Sequence, residues 1–263
     1  MSPRSTMLAR LRGDIAHLDA PHMIDASRRV ALGHAGAEVT LRGGLLRGAL
    51  HEVYADSGRH AAAATGFVAG LSGRVIARRP LLWVRQDFTE MESGALSMSG
   101  WRELGLDPRQ IVTVRAADIE TTLRVAADAL ACDALGVVVI EFWGAPKAFD
   151  LVASRKLTLA AQASGVTALL LRVAAVPIAS TAETRWIVRA AHSPPRASWQ
   201  SWGAPVLDTQ LVRNRHGPLG HWIMEWKCNE CLFRDAADSQ FAAAPPADRP
   251  HQTQPLAQRR RRA

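Results

Sequence analysis

At 263 residues and 48% hydrophobic content the chain can bury a full core, and one large domain with tails is expected. A formal net charge of +8 and a pI of about 10.5 favour nucleic acid or an acidic protein as partner. No run of about 18 uncharged apolar residues occurs, so no membrane span is expected. The opening "MSPRSTMLARLRGDIAHL" has no long apolar stretch and no small-residue cleavage site, so no signal peptide is expected either. Three cysteines are too few for a disulfide framework, which fits a cytoplasmic protein in a reducing compartment.

The predicted elements begin with an amphipathic helix over residues 6 to 20, where Leu8, Leu11, Ile15 and Leu18 recur at helical spacing. That apolar face can pack on its own domain or dock on a partner. Residues 21 to 38 read as a loop carrying Pro21, Gly33 and Gly36. "GALHEVYA" is a short β-rich run, followed by a small-residue helix to about Leu71. "RPLLWVRQD" reads as a buried strand, and "ADIETTLRVAADALAC" as a helix with Asp118 at its N-cap. "LGVVVIEFW" is fully apolar apart from Glu141, the pattern of a strand buried on both faces of a parallel sheet. "FDLVASRKLTLAAQASG" is a further helix that stops at Gly165, and "VTALLLRV" another buried strand. Strands alternating with helices predict a parallel α/β sheet.

After Pro177 the pattern changes. "TRWIVRAA", "PVLDTQLVRNRHG" and "GHWIMEWKC" read as strands, with Pro194 and Pro195 breaking the first gap and "RHGPLG" forming a hairpin. Antiparallel strands therefore extend the parallel core at one edge. From about residue 235 the composition shifts to Ala, Pro, Gln and Arg and ends in "QRRRRA", too poor in apolar surface to offset chain entropy, so a disordered tail is expected. The organisation is thus an N-terminal helix and linker over 1–38, a core domain over 39–234 and an Arg-rich tail over 235–263.

The stretch "HEVYADSGRHAAAATGFVAGL" over 51–71 passes from strand through a small polar turn into a helix. That is the layout of a phosphate-binding loop, in which backbone N–H groups and a lysine cradle a nucleotide. No lysine and no following hydroxyl residue stand at the helix start. Cys228 and Cys231 form a C-x-x-C with His221 nearby, but no second ligand pair follows, and the reading is two free thiols rather than a metal site. Arg213, Arg215 and His216 form a basic strand end, and Arg259, Arg260, Arg261 and Arg262 a basic run on the tail. Both sets suit DNA phosphates or an acidic partner; a solvated hairpin and a solubilising tail are the plainer readings. Most of Trp83, Trp143, Trp186, Trp222 and Trp226 belong to the core, with Trp143, next to a loop, a candidate surface anchor.

In order, these stretches resemble the RecA recombinase core, and more closely the ImuA family, RecA-related accessory proteins of inducible-mutagenesis operons. "GALHEV", "ATGF", "LWVRQD", "ELGLDP", "TRW", "LVRNRHGPLG" and "W…EW" carry the resemblance over roughly residues 40 to 227. It implies a three-layer RecA-like fold and a role in the DNA-damage (SOS) response. The implied partners are the Y-family polymerase-like protein ImuB and an error-prone replicative-type DNA polymerase, with RecA as a further candidate; the basic tail, for its part, predicts weak DNA binding without sequence preference. Laid on the RecA pattern, Ala55 takes the first glycine slot of the phosphate loop and His60 the last. Ala61 takes the lysine slot and Ala62 the Mg²⁺-binding hydroxyl slot. Arg59 and His60 could attract a phosphate without reproducing the loop geometry. Asp87 falls in the catalytic-carboxylate slot and Glu141 in the Mg²⁺-associated one, the alternative being polar residues hydrogen-bonded at strand ends. Arg172 takes a nucleotide-sensing position, where it could partly fill the empty phosphate site or stand solvated. The segments "FWGAPKAFD" and "VAAVPIASTAE" match the DNA-gripping loops of RecA but are short. The resulting expectation is a non-catalytic protein with no cofactor and no metal, acting by protein–protein contact. The rival readings are an ATP-dependent RecA-type DNA-binding protein and an SOS cell-division inhibitor.

Overall fold

The computed structural model describes residues 28–76, 79–193 and 203–236. The predicted helix with Leu8, Leu11, Ile15 and Leu18, and the run Arg259 to Arg262, lie outside them.

A two-stranded antiparallel ribbon opens the described chain, β1 (Arg29–Val30) pairing with β2 (Leu45–Leu46) around helix α1 (Ala35–Thr40). This part was expected as loop. It is ordered by burial of Val30, Leu32 and Ala37, and by His34, whose Nδ1 accepts the Ala37 N–H (3.2 Å) at the N-cap of α1. Strand β3 (Leu50–Ala55) then leads through a short 3₁₀ turn (Gly58–His60) into α2 (Ala61–Val75). β4 (Leu81–Gln86) is followed by two short helices that sequence reasoning did not separate, α3 (Asp87–Ser93) and α4 (Met98–Glu103), and then by β5 (Ile111–Ala116). Helix α5 (Ile119–Leu130) is capped as expected: the Asp118 carboxylate accepts the Thr121 N–H at 2.7 Å. β6 (Val137–Trp143), α6 (Leu151–Ser164) and β7 (Thr167–Val173) complete the parallel core. α6 ends at Gly165, whose φ of +77° is the left-handed conformation that favours glycine. The last strands are β8 (Thr184–Ala190), β9 (Val206–Asn214), β10 (Gly220–Lys227) and β11 (Leu232–Asp235).

Among the described residues these strands form a nine-stranded sheet, in the order β11-β10-β9-β8-β3-β7-β6-β4-β5. Pairing is parallel from β8 to β5 and antiparallel from β8 to β11, so the sheet is mostly parallel with an antiparallel extension at one edge, as the sequence pattern predicts. The physical basis is plain in β6 and β7, whose Val, Ile and Leu runs are buried on both faces. Val53, Val139 and Leu171 point to the α2 face, where Phe67, Val68, Trp186 and Trp226 fill the core. Leu50, Ile140 and Leu170 point to the α5–α6 face with Phe142, Phe149 and Leu157. Among the described residues no helix is long and apolar enough to cross a membrane.

Candidate functional site

The β3–turn–α2 unit stands at the centre of the sheet, with β3 between β8 and β7. Its turn is tied down on β8. Arg189 donates to Asp56 (2.8 and 2.7 Å), and the Ala190 N–H donates to His60 Nδ1 (3.2 Å), which leaves the other ring nitrogen 3.9 Å from Asp56. His60 is thus a fastener of the turn, while Arg59 is exposed and its Nε donates to His60 Nε2 (3.2 Å). The Ser57 hydroxyl in the same turn is buried with no partner among the described residues.

Ala61 and Ala62 begin α2 and offer only methyl groups to an adjoining cavity of about 930 Å³. The arginine lining that cavity, Arg85, is already engaged with Glu141. Arg85 and Glu141 are cross-strand partners on β4 and β6, both buried. Arg85 Nε donates to Glu141 Oε2 (2.7 Å) and Nη2 to Oε1 (3.1 Å), a two-pronged pair, and the Trp83 indole N–H adds a third donor to Oε2 (2.7 Å). Burial pushes the Glu141 carboxyl upward, against the pull of Arg85. The remaining Arg85 donors reach Gly94 O (2.9 Å) and Ser93 Oγ (3.1 Å), which fastens the end of α3 to the sheet. Both carboxylate oxygens of Glu141 therefore hold side-chain donors rather than facing a solvent-filled cleft. Asp87, at the start of α3, pairs instead with Arg115 (2.9 Å) at the surface, and Arg115 also reaches Glu90 (3.4 Å).

Trp143 closes the end of β6 over the turn. A Cβ placed on Gly58 would meet the Trp143 ring at 3.0 Å, so a glycine is what lets the indole lie against the turn. Phe88 of α3 packs edge-on to Trp143, with ring centroids 6.4 Å apart. Arg172 is not solvated. It is fully buried on the α5–α6 face, where Nη1 donates to the Tyr54 hydroxyl (3.1 Å) and Nη2 to Gly144 O (3.0 Å). The rings of Tyr54, Phe142 and Phe149 surround its guanidinium at 5.2–5.5 Å. Gly144 also donates its N–H to Val173 O (2.7 Å), so Arg172 fixes the residue that follows Trp143.

The other sequence candidates are dispersed. Arg213 is half-buried opposite Arg185 in the β8–β9 ladder, and Arg215 is exposed in the hairpin with its backbone N–H on Glu183 O (3.0 Å). His221 pairs with Asp208 (2.6 Å) rather than with the cysteines. The thiol of Cys231 donates to Gly105 O (3.2 Å), and Cys228 is half-buried beside the core. Among the described residues no group of three or more His, Cys, Asp and Glu side chains could hold a metal ion. Sequence reasoning missed Arg85 and the buried Glu52–Arg185 pair (2.6 Å). Their signal is a charge inside a mainly apolar strand, met by the opposite charge at the matching position of a neighbouring strand.

No family model matches the chain. Over 197 residues, 70% of this chain and 77% of the relative, the chain is similar to Protein ImuA from two strains of Caulobacter vibrioides, at 29% identity.

Proposed function

We propose that the chain is a RecA-like accessory protein of DNA-damage-induced translesion synthesis, with a degenerate phosphate loop, acting by contact with error-prone polymerase partners rather than by turning over nucleotide. The carrying observation is that α2 begins with Ala61 and Ala62 where phosphoryl transfer needs a lysine and a metal-binding hydroxyl. Three further features support it. Glu141 is spent on Arg85 and Trp83, Trp143 lies against the turn at Gly58, and Arg172 is turned to the other side of the sheet. Similarity to Protein ImuA supports the mutagenesis setting. The partners this reading takes are the Y-family polymerase-like protein ImuB and an error-prone replicative-type polymerase.

The experiment is co-purification of the full chain with each candidate polymerase, with and without Mg²⁺ and ATP. A complex that forms equally well in both conditions is the expected result. A complex that forms only with ATP would refute the nucleotide-independent reading.

A further inference from the structure

The edge of the sheet away from the phosphate-loop turn carries a row of arginines. β3, β4, β6 and β7 all begin at this edge. Arg28 and Arg47 are joined there: the Arg47 N–H donates to Arg28 O (2.8 Å), and Arg28 Nη2 donates to Arg47 O (3.2 Å). Arg47 and Arg79 both line a cavity of about 500 Å³ floored by Gly136, Gly165 and Thr167 at the starts of β6 and β7. In the other direction Arg29 donates to Leu41 O (2.7 Å) and Gly44 O (3.0 Å) and lies within electrostatic reach of Arg42 and Glu183. Glu183 in turn accepts the Arg215 N–H on its carbonyl and has His216 3.5 Å from its carboxylate.

Arg28, Arg42, Arg79 and Arg215 are exposed and Arg47 is half-exposed. None of the five has an ion-pair partner among the described residues. The acids near these arginines are Glu183, which is only 8% exposed and paired with His216, Asp133, in the turn before β6, and Glu38, one turn before Arg42, whose carboxylate accepts the Gly33 N–H (2.6 Å). Six arginines against these three leave an excess of about three positive charges on one rim.

We propose that this rim binds the phosphate backbone of nucleic acid. Guanidinium groups match phosphate oxygens two at a time, and a row of them releases condensed counterions from a phosphate chain. A polypeptide partner would need a cluster of apolar anchors; the cavity offers only Val75 and Ile76, both buried, and the exposed apolar side chains flanking Arg42 and Arg215 are the single Val39 and Leu219. The surface lies at the opposite end of the parallel strands from the turn before α2. It shares only Arg215 with the basic positions read from the sequence.

The test is fluorescence anisotropy of the full chain with a labelled single strand and a labelled duplex of mixed sequence, between about 50 and 200 mM salt. The probe variant is Arg42→Gln, Arg79→Gln, Arg215→Gln, three exposed positions. The charge-matched control is Arg124→Gln, Arg155→Gln, Lys156→Gln on the α5–α6 face. The rim variant is expected to bind at least about tenfold more weakly at low salt. Its plot of log affinity against log salt is expected to flatten by about 0.9 per lost contact on duplex and about 0.7 on single strand. The control is expected to bind like the unmodified chain. Should the triple variant melt early, Arg79→Gln alone gives the same comparison with about one contact's change in slope. The proposal is overturned if the unmodified chain binds neither probe, or if the rim variant binds as well as the parent. It is also overturned if the control loses as much, or if the rim substitutions weaken a polyglutamate peptide and leave DNA unaffected. A failure here leaves the polymerase co-purification untouched, so the two ideas stand or fall separately.

Discussion

Replacing Arg85 by methionine keeps much of the side chain's length and removes its charge. In the native protein Glu141 is fully buried and holds three donors, two of them from Arg85. The substitution leaves the carboxylate with the Trp83 N–H alone and strips Gly94 and Ser93 of their tether. Breaking a buried pair from one side costs about 3–5 kcal/mol, because an uncompensated charge remains. For a domain of this size that lowers Tm by about 6–20 °C. Burial already pushes the Glu141 carboxyl upward. Without Arg85 it rises further, so the folded variant holds a proton that the unfolded chain has released. The variant's deficit should therefore grow as pH rises above the ordinary carboxylate range and shrink in mild acid. Arg85→Met with Glu141→Leu removes both charges and should recover most of the loss, since apolar replacement of a buried pair is often neutral. The assay is urea unfolding of the parent, both single variants and the double variant at two pH values. A cost under about 1 kcal/mol for Arg85→Met, or a double variant no better than the single, would refute the reasoning.

Other outcomes follow from the same geometry. His51 is buried between Thr184 Oγ1 and Leu46 O, both at 2.8 Å, and burial lowers its pKa from 6.5 to about 4. The unfolded chain takes up that proton first, so stability should fall as pH drops through the window, by about 2 kcal/mol at about pH 5, and an acid titration of the urea midpoint checks it. Asp150→Ala removes the carboxylate that accepts the Ala153 N–H (2.8 Å) at the start of α6 and should cost about 1 kcal/mol in the same urea assay. Ala61→Lys with Ala62→Thr should give no ATPase activity in a phosphate-release assay, because Trp143 still lies on the turn and Glu141 still belongs to Arg85. Leu11→Asp with Ile15→Asp should weaken a polymerase complex about 30- to 1000-fold if the N-terminal helix docks there, and unfold the chain instead if that helix belongs to its own core.

The fold was readable wherever burial imposes a pattern. The apolar runs of β6 and β7, the Asp118 cap and the Gly165 stop each carry a local signal that survives in the structure. The segment over 28–40 misled because its order comes from distant partners: Gly33 packs on Leu232, and His34 reaches Asp235 (2.8 Å). α3 and α4 are too short for periodicity to show. At the candidate site the sequence reading put Glu141 at the end of its strand, whereas β6 runs two residues further, to Trp143. That its two oxygens are taken by Arg85 and Trp83 depends on the β4–β6 register, which no local pattern encodes. Arg172 illustrates the same limit. Its place at a strand end suggested solvent or a phosphate, but the pleat turns it into a cage of three aromatic rings.

On the reading proposed above, this α/β core keeps the strand–turn–helix layout without nucleotide chemistry. Calorimetric titration of the full chain with ATP and Mg²⁺ tests it most directly. No saturable binding tighter than about millimolar, near 4 kcal/mol, and no hydrolysis above background are expected. A micromolar dissociation constant, or Mg²⁺-dependent release of phosphate, would contradict it.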